Sequence, residues 1–430
     1  MNYQQTLAYL FDKLPMYSKM GKDAYKADLS NTIRLCAALN NPHLCFPSIH
    51  IAGTNGKGSV SHTIAAILQT AGCKTGLYTS PHLKDFRERI KINGNICSEE
   101  FVISFTQQIQ PIINEIQPSF FEITVAMAFK YFAQEKVDIA IIETGLGGRL
   151  DSTNIITPQL SVITNIGFDH IQILGNTLEK IAFEKAGIIK QNTPIVIGEM
   201  HEETKKVFDK IAREKNAPIF YAQNERKVVH FAYNHSLADI IIDNNHLKEQ
   251  HIYTTDLTGI YQTKNILTVL CAIEQLQKLN WHITEQNIKE GIKNVQKITA
   301  FKGRWQLLQT QPTVIADVAH NEDGIKQVIE QLTYTSYHKL HIIIGMVKDK
   351  DVSKVLSLLP TSAIYYFTQA PIPRALPTSE LFDLAQKNYL TGNKYDNVNQ
   401  AINAAKKNAT NNDLILVIGS VFLVGDIEIL

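Results

Sequence analysis

The stretch Pro47-Ser-Ile-His-Ile-Ala-Gly53-Thr-Asn-Gly-Lys-Gly-Ser59 sets the fold. Pro47–Ala52 is a short β-rich run, and Ser59–Ala71 carries a helical apolar pattern that stops at Gly72, a natural residue just past a helix end. A strand that enters a helix through a glycine-rich turn opens a βα unit. The turn also has a chemistry. Its glycines let the backbone approach phosphate oxygens, the helix N-terminus offers aligned N–H groups, Lys57 adds a point charge, and the Ser59 hydroxyl can reach a magnesium ion. Gly53, Thr54, Asn55, Gly56, Lys57, Gly58 and Ser59 are therefore read as a phosphate loop. The spacing departs from GxxxxGK[ST], because the first glycine is closer and Gly58 stands between Lys57 and Ser59. A plain tight turn would use the same glycines, but the strand-to-helix context and the lysine favour the phosphate loop.

The same rhythm continues outward. Further strands are expected at Gly76–Thr79, Val137–Glu143, Leu160–Asn165 and Pro194–Gly198, with a capping box at Asn176 and Glu179 opening a helix through Ala182, Phe183 and Ile188. Residues 222–263 mix His, Asn and Asp with β-branched residues, as in a small antiparallel excursion. Helices resume at Lys264–Leu279 and Thr284–Val295, and Gln296–Gly303 reads as an interdomain passage. Strands then recur at Thr313–Ala316, Leu340–Gly345, Ala363–Thr368 and Leu414–Gly419. The expected class is α/β: a P-loop-type, mostly parallel N-terminal domain over residues 1–297 and a smaller Rossmann-like α/β domain over residues 298–430.

Composition excludes several classes. With 42 basic and 41 acidic residues the net charge is +1, so no bulk field favours nucleic acid or an anionic membrane, and any anion needs a local site. Cys36, Cys45, Cys73, Cys97 and Cys271 form no CxxC pair, which argues against a disulfide framework or a zinc ribbon. No apolar run approaches the ~20 residues of a membrane span, and the N-terminal stretch lacks a basic segment followed by an apolar core. A cytoplasmic location is expected.

Several strand exits carry reactive residues. Glu143-Thr-Gly-Leu-Gly-Gly-Arg-Leu-Asp151 leaves an apolar strand at the edge where open α/β sheets place ligands, and its carboxylate could hold magnesium on ATP. Alone, this stretch fits a glycine loop with a solvated acid better than a metal site. A neighbouring strand runs into Gly167-Phe-Asp-His170, and a lone histidine is more often structural than a ligand. Lys185, in Glu-Lys-Ala-Gly187, fits a lysine snorkelling from a helix flank on spacing alone. Arg304 follows Gly303. Asp317-Val-Ala-His-Asn321 leaves the first strand of the later unit, where nucleotide contacts and a domain-interface salt bridge are equal contenders. Gly345-Met-Val-Lys-Asp-Lys-Asp351 leaves the next strand with alternating charge.

Taken together, these motifs resemble the folylpolyglutamate synthase/dihydrofolate synthase family within the Mur-ligase superfamily. The resemblance runs from Leu14-Pro15 and Asn41-Pro42-His43 through His50–Ser59, Thr79-Ser-Pro-His-Leu83, Glu88-Arg-Ile90, Phe121-Glu122, Glu143–Asn154, His170, Glu184–Ile188, Tyr261-Gln262 with Asn265, and Gly303-Arg304. It ends with Asp317–Asn321 and Lys348–Asp351. It implies an ATP-dependent carboxylate–amino-acid ligase that joins L-glutamate to 7,8-dihydropteroate or to reduced folates through an acyl phosphate. Residue by residue, it implies ATP binding by Gly53–Ser59, Asn265, Arg304 and Asp317, and magnesium, one ion or two, held by Ser80, Glu143 and His170. It further implies a carbamate on Lys185 that helps hold metal, folate contacts from Ser119, Phe120, Phe121, Glu122, Leu150, Asp151 and Ser152, and an amino-acid side near His320 and Ser420. Lys57, Glu143, His170 and Lys185 would be catalytic. A monovalent cation is a further candidate cofactor, the partners would be small molecules rather than nucleic acid or membrane, and a monomer is expected.

Two departures stand out. The family's Asp-Gly-Ala-His-Asn-Pro reads Asp317-Val318-Ala-His-Asn-Glu322, and Lys302 replaces a common proline before Gly303. Valine tolerates positive φ poorly, so Val318 questions the local backbone. A Mur-type ligase acting on another carboxylate is the alternative enzyme, although the roughly 50 residues ahead of Gly53 are short for a nucleotide-sugar domain. A nucleotide-dependent binding module is the alternative outside enzymes.

Overall fold

The computed structural model describes residues 1–15, 28–234, 236–245 and 249–430. Eight strands form the first sheet: β1 (Ser48–Ala52), β2 (Thr75–Tyr78), β3 (Ile90–Ile92), β4 (Asn95–Ile96), β5 (Ile139–Glu143), β6 (Leu160–Ile163), β7 (Ile195–Ile197) and β8 (Ile219–Tyr221). Their order is β4-β3-β2-β5-β1-β6-β7-β8, parallel except where β3 pairs with β2 and β4. β1, β5 and β6 are buried at every position, as sheets covered on both faces require. One face packs under helix Phe120–Gln134, and the other under helices Lys57–Thr70 and Gln262–Lys278. Because β1 lies between β5 and β6, the chain leaves β1 at a topological switch point, where open sheets form their ligand crevice.

A second sheet is antiparallel, with β9 (Arg226–Tyr233), β10 (Ala238–Asn244) and β11 (Gln250–Thr255) in the order β11-β10-β9. It realises the excursion expected over residues 222–263; residues 235 and 246–248 of that span lie outside the described residues. The third sheet contains β12 (Gln306–Thr310), β13 (Thr313–Ala316), β14 (Leu340–Ile344), β15 (Ile364–Phe367), β16 (Gly392–Lys394) and β17 (Leu414–Ile418) in the order β12-β13-β17-β14-β15-β16. All its pairs are parallel except β12 with β13. The class is α/β as expected, a large mostly parallel sheet joined to a smaller α/β sheet.

Local readings needed correction. The helix after β1 begins at Lys57, two residues before the expected Ser59, with Gly56 as its N-cap at φ 84°. Thr177, rather than Asn176, caps helix Leu178–Ala186 by accepting from the Lys180 N–H, so that helix stops short of Ile188. Part of the passage Gln296–Gly303 is helical, over Val295–Thr299. Lys91 donates to the carbonyls of Thr299 (2.8 Å) and Ala300 (3.3 Å), tying the passage to β3. Helices Glu99–Ile116 and Phe120–Gln134, and strands β3, β4, β8, β12 and β16, had no counterpart in the sequence reading. All five cysteines are free, three of them buried, and among the described residues no helix is long and apolar enough to cross a membrane.

Candidate active site

Parallel register aligns the strand exits. Ile51 of β1 pairs with Glu143 of β5 and Ala52 with Ile163 of β6, so Gly53, Glu143 and Thr164 emerge side by side. The turn after β1 is held closely. A Cβ on Gly53 would stand 1.8 Å from the Thr164 hydroxyl, and Gly56 combines its positive φ with a Cβ position 2.4 Å from Asn265 Oδ1. Thr164 Oγ1 donates to the Asn55 carbonyl (2.5 Å), and the Asn55 N–H donates to Asn165 Oδ1 (2.8 Å). With no glycine side chains in the way, the loop can present its N–H groups to an anion.

Two lysines converge on this turn. Lys57 Nζ donates to the Gly53 (3.0 Å) and Thr54 (3.2 Å) carbonyls, while Lys185 Nζ, from helix Leu178–Ala186, donates to the same Gly53 carbonyl at 2.8 Å. Burial pushes Lys185 down to about 7, with the Lys57 charge adding to it, and burial lowers Lys57 as well. Glu143 is buried on the other side; burial pushes its carboxyl up to about 7 against the pull of Lys57 and Arg304. The Ser80 backbone supports that carboxylate. Burial holds the His170 imidazole near 3, so it is neutral at neutral pH. Magnesium prefers one or two carboxylates plus substrate oxygens, and a buried carboxylate raised this far lacks positive charge, so the donor set fits such an ion. Among the described residues no three His, Cys, Asp or Glu side chains converge as a ready-made metal cage.

Residues from the third sheet close the site. Asp169 is largely desolvated, yet Lys350, in an ion pair, together with His320 and His170 holds its carboxyl well below the usual range. Asn321 Nδ2 also reaches Asp169 (3.3 Å) and Asn55 Oδ1 (3.1 Å). Asp317 accepts from Tyr261 OH (2.5 Å), Trp305 N–H (2.7 Å) and Ala319 N–H (2.8 Å), while burial raises its carboxyl. Asn265 donates to Gln262 Oε1 (2.8 Å), and Gln262 donates to Ser59 Oγ (3.1 Å). Arg304 lies 5.2 Å over the Phe301 ring.

All this borders one cleft of about 960 Å3. Gly53, Thr54, Lys57, Gly58, Ser80, Glu143, His170, Lys185, Arg304, His320 and Ser420 line it, as do the two expected folate segments, 119–122 and 150–152. Asn55, Gly56, Ser59, Asn265 and Asp317 stand behind that lining. Ser119 and Glu122 also serve the fold, as a capping box for helix Phe120–Gln134. Asp151 accepts from Thr153 and from the Leu146 N–H, pinning its loop.

Comparison with known proteins agrees with this geometry. Residues 51–273 match the Mur ligase middle domain, and residues 303–421 the Mur ligase glutamate ligase domain. The chain is 34% identical to the dihydrofolate synthase/folylpolyglutamate synthase of Bacillus subtilis, over 99% of this chain and 98% of that protein. The chain belongs to the folylpolyglutamate synthase/dihydrofolate synthase family. It is also 31% identical to the folylpolyglutamate synthase of Lacticaseibacillus casei, covering 98% of this chain and 97% of the relative. Among solved structures it resembles E. coli FolC in complex with DHPP and ADP, with a TM-score of 0.85 and 29% identity over 99% of this chain and 96% of that one. A Mycobacterium tuberculosis folylpolyglutamate synthase complexed with ADP and AMPPCP matches with a TM-score of 0.84 and 28% identity over 98% and 97% of the two chains. As a member of this family the chain is an ATP-dependent ligase.

Within that family frame the two departures are accommodated. Val318 is not among the residues with positive φ; its N–H donates to the Gly303 carbonyl at 3.1 Å and its side chain is buried, so valine meets no backbone conflict. Lys302 donates to the Leu430 carbonyl at 2.7 Å, which anchors the C-terminus. Asp169, Lys350, Asn321, Tyr261 and Gln262 stood inside recognised motifs without an assigned role. Their signal is polar residues at strand exits, but their partners lie far away in sequence.

Proposed function

We propose that this cleft joins L-glutamate to 7,8-dihydropteroate and to reduced folates, activating the acyl carboxylate with ATP. A single observation carries the proposal: one continuous cleft has the phosphate loop and its two lysines at the centre, an aromatic wall at Phe120 and Phe121, and the third sheet's polar loops opposite. In the first step a substrate carboxylate oxygen attacks the γ-phosphorus and the bond to the β-phosphate breaks, giving an acyl phosphate and ADP. The amine of L-glutamate then attacks the acyl carbon, loses a proton, and inorganic phosphate departs with the electron pair. Lys57 and the Gly53–Ser59 N–H groups would offset charge on the transferred phosphoryl, with Arg304 approaching from the other side. Asn265 and Asp317, each fixed by hydrogen bonds, would position the nucleotide.

Glu143, Ser80 and His170 would hold magnesium, which supplies charge neutralisation at the phosphates when bound. A Lys185 amine held at about 7 is about half neutral at pH 7, and that neutral form can add to CO₂ through Nζ with loss of a proton; the resulting carbamate anion would relieve the crowding of two ammonium groups on one carbonyl.

The test is phosphate release by the purified chain, with dihydropteroate and a reduced folate assayed side by side. Release that requires both an acyl acid and L-glutamate is expected. Turnover indifferent to either would instead indicate a nucleotide-dependent binding module.

A further inference from the structure

Arg89, at the end of the turn before β3, is 8% exposed and lines the cleft, and none of the functions above uses it. Its guanidinium stands 5.4 Å over the Phe120 ring, beside Tyr78, and gives its Nε–H to His82 Nδ1 at 2.8 Å. His82 is half-buried and desolvation holds it near 3, so this partner is a neutral imidazole. Among the described residues no carboxylate lies within ion-pair distance of Arg89. The nearby acids are committed elsewhere: Glu88 accepts from the Leu83, Lys84 and Asp85 N–H groups, and Asp85 pairs with Arg87 at 2.8 Å. Glu143 acts on Arg89 only through its field. A desolvated guanidinium with aromatic neighbours and no anion is costly unless something negative arrives, and its planar fork suits a carboxylate.

We infer that Arg89 is a carboxylate clamp, receiving a carboxylate of the acyl substrate where the aromatic wall meets the phosphate loop. The inference rests on the proposed ligation of pteroate and folate acids. Two sources share this chemistry. Dihydropteroate has a single carboxylate, the one that is activated, whereas a folate also carries the α-carboxylate of its glutamate, which does not react.

Arg89→Gln and Arg89→Lys in the full chain separate these cases. Steady-state constants would be measured with dihydropteroate, with tetrahydrofolate and with varied ATP. Binding of dihydropteroate and of its uncharged carboxamide, without ATP, would be followed by fluorescence, alongside thermal melting. Loss of a charge-assisted contact should weaken dihydropteroate binding by about tenfold or more in Arg89→Gln, with the carboxamide and the KM for ATP nearly unchanged. Arg89→Lys should recover part of the loss, and Arg89→Gln should melt close to wild type, since it deletes a buried cation that no carboxylate neutralises while giving up its hydrogen bond to His82. A loss confined to tetrahydrofolate would keep the clamp and assign it to the α-carboxylate. Equal losses for acid and carboxamide, or no loss for either acid, would overturn it. A wild-type chain that binds neither acid would remove the proposed substrates first, and the clamp with them.

Discussion

At the residue scale the centre of the site is a single carbonyl oxygen, that of Gly53, which accepts from two buried lysines. Lys57→Ala should abolish ATP turnover while leaving the far-ultraviolet circular dichroism unchanged, because in the proposed reaction it removes a phosphate contact at the first residue of a helix rather than a contact in the core. Lys185→Ala should cripple ligation and be partly rescued by short carboxylic acids, a rescue that simple loss of an ammonium charge would not allow. The neighbouring titrations give an unusual stability profile. Glu143 binds its proton more tightly folded (about 7) than unfolded, so between its ordinary carboxyl range and pH 7 the folded state holds the extra proton and stability falls as pH rises. Lys185, at about 7 when folded, has lost its proton where the unfolded lysine keeps it, so stability rises from pH 7 towards 10. Melting of the ligand-free protein across pH should show a shallow minimum near 7. Glu143→Gln should flatten the acid limb and Lys185→Met the alkaline limb; a monotonic profile in the wild type would contradict the assigned environments.

At the scale of elements, the proposed phosphate loop is a place where a strand, a glycine turn and a helix meet without glycine side chains in the way. Gly56→Ala should lower stability by about 1–2 kcal/mol through its left-handed backbone, and should raise the KM for ATP by pushing Asn265 aside. Ser119→Ala should cost about 1 kcal/mol in chemical denaturation whether or not folate is present, because the same hydroxyl caps helix Phe120–Gln134. These elements were unevenly legible. β17 is a wholly apolar run and β1, β5, β6 and β14 are mostly apolar ones with one or two polar residues, each bounded by turn residues, which length and composition identify directly. Helix Phe120–Gln134 is buried nearly all round, so it carries no amphipathic stripe, and short edge strands such as β4 and β16 have too few residues to show a period. The cap at Thr177 was misread by one residue because Asn176 and Thr177 are both good caps, and only the backbone decides between them.

At the scale of the whole molecule, Asp169 fastens the first sheet to the third through Lys350, His320 and Asn321, directly beside His170. Asp169, Lys350 and His320 line the cleft, and in the proposed reaction holding the two sheets together there would exclude the water that hydrolyses an acyl phosphate. Asp169→Asn should therefore raise the phosphate released per ligated product severalfold with a smaller change in the KM for ATP, measured by comparing phosphate with folate product in one reaction. A ratio that stays at one would show that the fastening is not needed for coupling.

The sequence by itself determined the α/β class, the glycine-rich strand-to-helix turn at Gly53–Ser59, and the loops carrying Glu143, His170, Asp317 and Lys348–Asp351, because each depends on residues close together along the chain. Only the tertiary structure decided that Lys185 reaches the Gly53 carbonyl 132 positions away, that Asp169 meets Lys350, and that Arg89 is buried without an anion. Those facts arise from strand order and helix packing, which bring distant residues together, and from desolvation, which is set by what surrounds a group rather than by its neighbours in the chain.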